Sequence, residues 1–170
     1  PKMAVRVQAI RGDRAAIEFR GFPPKTRDDL VKALGDKITV QEGDWNCMMG
    51  ASTNVNKTAN GGPAFHAAAA DSRVKQALSL AMDRWGGSKY LSKIALVRTP
   101  GGVVFPNHPL AATKKELMEM PPYNPDNKVR RDMAKKLLAE AGQSKLDFKL
   151  HNRAVDQPYK VVGTWMIDQW

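Results

Sequence analysis

Apolar residues recur at helical spacing in two long stretches of the chain. Val74, Ala77, Leu78, Ala81, Met82 and Trp85 fall at i, i+3, i+4, i+7, i+8 and i+11. That is the stripe of an amphipathic helix, which must bury one side against a sheet or another helix. Gly86-Gly87 is expected to end it. In the second stretch Asn124 reads as an N-cap and Pro125 as the first helical residue. Val129, Met133, Leu137 and Ala141 share a face, and Gly142 closes the helix.

Shorter helices are predicted around these two. Thr26-Arg27-Asp28-Asp29 has the capping-box form ahead of Leu30, Val31 and Leu34, with Gly35 as the stop. Thr113 and Glu116 repeat that spacing, and Pro121-Pro122 halts the helix they open. Asp156 is expected to cap a last helix from about Pro158, with Val162, Trp165, Met166 and Trp170 on its apolar side.

Other segments alternate with period two, the pattern of half-buried strands. Ala4 to Ile10 and Ala15 to Arg20 flank a Gly12-Asp13 turn and read as a β-hairpin. Lys37 to Glu42 reads as a strand, Trp45 to Met49 as another extended segment, and Leu146, Phe148 and Leu150 as a third with one buried face. Ser52 to Gly62 and Thr99 to Pro109 carry loop signals, whereas Tyr90 to Val97 fits helix and strand equally. Strands and helices in this order predict an α+β fold, a mixed sheet with packed helices.

The chain has 170 residues, enough for one domain with its own core. Residues 1–170 are therefore taken as a single domain or fragment. Pro1 is not an initiator, and Trp165 to Trp170 stop inside an apparent helix, so an internal fragment is expected. A fragment with severed apolar surface is expected to self-associate. No stretch of about 18 apolar residues occurs.

A net charge of +10 permits a small basic nucleic-acid-binding domain as an alternative. Charge is its only support. Lys114-Lys115, Arg130-Arg131 and Lys135-Lys136 are isolated pairs with acidic neighbours, the look of a solvated face. No nucleic-acid partner is expected.

Catalytic signals are sparse. His66, His108 and His151 sit in separate segments without metal-ligand spacing, and the single Cys47 lies in no thiol-nucleophile signature. Gly61-Gly62 and Gly101-Gly102 lack phosphate-loop spacing, and Asp28-Asp29 is no isolated carboxylate pair. The chain is expected to be no enzyme and to use no metal or cofactor. The most suggestive binding element is Trp45-Asn46-Cys47, which joins an apolar wall to an amide, as small-molecule clefts do. From the residues alone, a strand with Trp45 and Cys47 turned into the core is equally open.

The block Arg73-Val74-Lys75-Gln76-Ala77-Leu78 with Ala81-Met82-Asp83-Arg84, followed by Pro122-Tyr123-Asn124-Pro125-Asp126 and Leu137-Leu138-Ala139-Glu140-Ala141-Gly142, resembles the family 5 solute-binding proteins of ABC importers. Those oligopeptide, dipeptide and nickel binders carry "VRQAL...A.DR" and then "P.NP(E/D)KA..LL.EAG". The chain departs from the family just before the first block, where "PPFDD" is usual and Pro63-Ala64-Phe65-His66-Ala67 stands instead.

The resemblance implies part of the second lobe of a two-lobed protein, periplasmic or lipid-anchored. Such a protein binds a peptide or related small solute and delivers it to an ABC permease without making or breaking a bond. It also implies that Trp45, Asn46, Cys47 and Asn54 face the ligand cleft, with Asn54 or Asn56 and Lys57 standing for part of the loop that follows.

Overall fold

The computed structural model describes residues 2–43, 49–53, 67–95, 99–143 and 145–170. Seven α-helices run through them: α1 Met3–Arg11, α2 Pro24–Leu34, α3 Ser72–Ala81, α4 Arg84–Ile94, α5 Lys114–Glu119, α6 Asn127–Glu140 and α7 Val161–Gln169. No strand occurs among the described residues, so the expected α+β fold with its mixed sheet is corrected to a helical one.

The predicted hairpin is the first casualty. Met, Ala, Arg and Gln in Met3–Arg11 all favour helix, and helical bonds close within the segment, whereas a strand needs a ladder partner. α1 buries no residue fully and is held from outside. Arg6 pairs with Glu18 at 3.0 Å, and its guanidinium lies 5.1 Å from the Phe22 ring centre.

α2 starts at Pro24, two residues ahead of the expected capping box. Thr26 caps nothing, and its hydroxyl donates to Met3 Sδ at 3.9 Å. Gly35 stops the helix with φ +53, as its position predicts. The strand expected at Lys37 to Glu42 is absent: Lys37 ends a short turn, and Ile38 is extended but has no ladder partner among the described residues.

The long helix predicted for 73–84 is two helices broken at Met82-Asp83. Asp83 explains the break, because its carboxylate accepts from Gly86 N–H at 3.0 Å and so caps a new helix. Gly86-Gly87 is therefore a first turn and not a stop. A Cβ on Gly86 would meet the Asp83 carboxylate at 2.2 Å, and one on Gly87 would meet the Trp165 ring at 2.2 Å. α4 continues to Ile94, which decides that part of the open segment for helix; residues 96–98 lie outside the described ones.

α5 carries the predicted capping box. Thr113 Oγ1 accepts from Glu116 N–H at 3.2 Å, and Glu116 Oε2 accepts from both Thr113 N–H and its hydroxyl at 2.7 Å. These bonds from Thr113 hold the Glu116 carboxyl below its ordinary range. A depressed carboxyl stabilises the fold above its unfolded pKa and loses that contribution as pH falls through its folded pKa. Thr113→Ala is expected to lower the urea midpoint at neutral pH and to narrow the gap between neutral and acid stability.

α6 is capped two residues later than expected, by Asp126 in place of Asn124. Asp126 accepts from Lys128 and Val129 N–H, while Asn124 Oδ1 accepts from Asp126 N–H. Its buried face is correspondingly Arg130 and Ala134, with Leu137 and Leu138 partly buried; Val129 and Met133 are exposed. Gly142 closes the helix region at φ +68.

Two cores hold the helices. α3 and α6 pack antiparallel, with Arg73 near Glu140 at one end and Leu80 near Arg130 at the other. Ala77, Leu80 and Ala134 fill the contact between them. The second core joins Leu91 of α4 to Val162 and Met166 of α7, covered by Met82, Leu150, Trp165 and Trp170. α7 begins at Val161, after a wide turn over Asp156–Lys160 that Gln157 interrupts. The strand expected at Leu146 to Leu150 makes no ladder among the described residues, and its buried face is broken: Leu146 and Leu150 are half-buried, but Phe148 is exposed along with Asp147, Lys149 and His151.

Candidate functional site

An arginine-centred joint binds α3, α4 and α6 at one end of the bundle. Arg130 is 1% exposed and is the buried charge among the described residues. Its side chain donates to the carbonyls of Asn124 at 2.6 Å, Leu80 at 3.0 Å and Met82 at 2.5 Å, and also to Asn127 Oδ1. Two of those carbonyls end α3, where a cation also meets the negative pole of the helix. Asp83 Oδ1 lies 3.4 Å from Arg130 Nη2 and supplies the countercharge. Burial pushes the Arg130 pKa down, and Asp83 opposes that shift.

Asp83 and Arg84 extend the joint. The Asp83 carboxylate also accepts from Asn127 Nδ2 at 3.2 Å, and its backbone N–H donates to Gln169 Oε1 at 3.1 Å, which ties in the end of α7. Arg84 donates to the Ser79 carbonyl at 2.7 Å, the Pro122 carbonyl at 2.8 Å and Ser79 Oγ at 2.8 Å. Its guanidinium sits 4.9 Å from the Tyr123 ring centre, and desolvation lowers its pKa. Trp85 Nε1 donates to the Tyr123 carbonyl at 2.6 Å, and the Tyr123 hydroxyl donates to Gly101 O at 2.7 Å.

Beside the joint lies an open trough. Phe22, Ile38, Lys75, Phe105, Phe148 and Trp165 are among the side chains that line it, as do Arg84 and Tyr123 of the joint. Residues 41–43 and 49–53 also line it. Trp45, Asn46, Cys47 and Asn54 lie outside the described residues, as do Asn56, Lys57 and His66. The trough is thus bordered by the segments on either side of Trp45 to Cys47 in the chain.

The remaining candidates resolve into structure. His108 Nδ1 accepts from Leu110 N–H at 3.1 Å within its loop, and His151 is exposed at the trough. Asp28 and Asp29 pair with Arg27 and Lys25. Among the described residues no three His, Cys, Asp or Glu side chains are grouped to hold a metal ion, and no helix is long and apolar enough to cross a membrane. Arg130, read from sequence as half of a solvated basic pair, is instead the joint's centre. Its signal was its position: Arg130 stands four residues before Ala134, on the face that meets α3.

No family model, curated protein or solved structure matches the chain. Within the two sequence blocks, Asp83, Arg84, Asn124 and Asp126 are the residues that build or cap the joint.

Proposed function

We propose that the chain binds a small solute, a peptide or a related molecule, in the trough, and belongs to the uptake system of an ABC importer. The reading makes it a periplasmic or lipid-anchored receptor that hands its solute to a membrane permease and performs no chemistry. The observation that carries it is the trough, lined by aromatic and polar side chains and bordered by both flanks of the Trp45 to Cys47 segment. Small ligands are held in concave sites of about 300–1,000 Å³ with mixed lining; at about 3060 Å³ the trough would hold its solute along only a part of its length. The joint supports the same reading, because it fixes one wall of the trough through Arg84 and Tyr123.

Charge favours solute over nucleic acid. Arg130 is buried, Arg84 is spent on backbone carbonyls, and along α6 Lys128 and Lys136 pair with Asp132 and Glu140. A phosphate track needs exposed cations grouped on one face.

The test is a thermal-shift screen against short peptides, opine-like solutes and metal chelates, followed by titration of each hit. Trp45→Ala is expected to weaken the binding of a hit about tenfold, the order expected for losing an aromatic contact. Unchanged affinity, with the fold intact by circular dichroism, would remove Trp45 from the site. A screen without a hit would count against solute binding itself.

A further inference from the structure

Residues 146–151 line the trough, and among the described residues the backbone from Lys145 to His151 is unpaired. It has no helix, turn or bend, and no N–H or C=O in it bonds to a described residue. Backbone donors and acceptors are strong groups, and an unpaired row of them is a template for another strand. One side of the segment is already anchored. Leu150 packs into the α4–α7 core, and the Phe148 ring meets Trp170 edge-on, with centroids 5.6 Å apart. The alternate residues Lys145, Asp147, Lys149 and His151 are exposed, and Phe148, on the other face, keeps part of its ring in solvent.

Leu146-Asp147-Phe148-Lys149-Leu150 is complementary to itself in reverse, with Lys145 and His151 facing each other at its ends. In an antiparallel pair centred on Phe148, each Asp147 faces a Lys149, each Leu146 faces a Leu150, and the two Phe148 rings meet across the axis. Directly opposed opposite charges and apolar pairs stabilise a ladder, while like charges weaken it. Neighbouring registers are penalised. Centring on Asp147 would oppose Asp147 to itself and Lys145 to Lys149, and centring on Lys149 would oppose Lys149 to itself. Charged residues on a strand edge normally discourage pairing; here the charges select one register and one partner.

We infer that residues 145–151 form a self-complementary edge through which two copies of this chain associate as an antiparallel, two-fold pair. Such an interface is isologous, so every contact is made twice. It is small and therefore reversible, forming as concentration rises.

Sedimentation across a wide concentration range, at low salt, is the test. The parent chain is expected to move from the mass of one copy toward that of two. Asp147→Lys and Lys149→Asp, both at exposed positions, are each expected to weaken association about tenfold or more, because two facing pairs turn from attraction to repulsion. An equimolar mixture of the two variants is expected to associate as the parent does, since each then faces its opposite, and so is the chain carrying both substitutions. A parent that stays at the mass of one copy overturns the inference. So does an Asp147→Lys chain that associates as well as the parent, or a mixture that fails to recover.

Discussion

Replacing Arg130 with methionine is expected to cost about 3–5 kcal/mol of folding stability, the range for removing one partner of a buried ion pair. The side chains are similar in length, so loss of volume is a minor part of the effect. The larger part is what the guanidinium leaves behind: the carbonyls of Leu80, Met82 and Asn124 lose their donor, and Asp83 loses its countercharge. A buried carbonyl without a donor costs about 1–3 kcal/mol. Stabilities of single domains run to roughly 5–15 kcal/mol, so this one change should remove a large share. Arg130→Lys retains the charge, but a single ammonium cannot span the acceptors that the planar fork reaches. Urea unfolding should rank the parent above the lysine variant and the lysine variant above the methionine variant. Equal midpoints for parent and methionine variant would mean that the joint contributes nothing.

Gly87→Ala is expected to destabilise although it improves helix propensity. Alanine in place of glycine within a helix gains about 1 kcal/mol. At this position the added Cβ would lie 2.2 Å from one Trp165 ring carbon and 2.6 Å from another. The indole packs against the core between α4 and α7 and also lines the trough, so the ring must shift out of its packed position to admit the methyl group. Overpacking of that kind costs about 1–3 kcal/mol, so the net result should be a loss of up to about 2 kcal/mol. Restoring stability with Trp165→Phe in the same chain would confirm that the indole is the obstacle. A Gly87→Ala chain more stable than the parent would show that α4 and α7 do not pack as described.

Sequence pattern was a good guide wherever a local interaction sets the structure. The Thr113–Glu116 capping box, the Gly35 stop and the Gly142 closure lie where side-chain chemistry and φ preference put them. Pattern failed where a tertiary partner decides. Val5, Val7 and Ala9 alternate as a strand would, but α1 has no strand to pair with and closes its bonds internally. Gly86-Gly87 looks like a helix terminator until Asp83 and Trp165 are seen to need the space. The α6 face is displaced because a charged residue, Arg130, occupies a position that hydrophobicity alone assigns to solvent. The ligand-facing residues implied by the resemblance, Trp45, Asn46, Cys47 and Asn54, lie outside the described residues.

The joint also orders events during synthesis. Arg130 reaches back 50 residues to the Leu80 carbonyl, so the end of α3 acquires its permanent donors only after the intervening polypeptide has left the ribosome. Until then the carbonyls of Leu80 and Met82 must stay hydrated, and Ala77 and Leu80 lack the Ala134 surface that covers them. The nascent chain therefore carries α3 with an open end and an uncovered face until α6 arrives, and a ten-residue helix is marginal on its own.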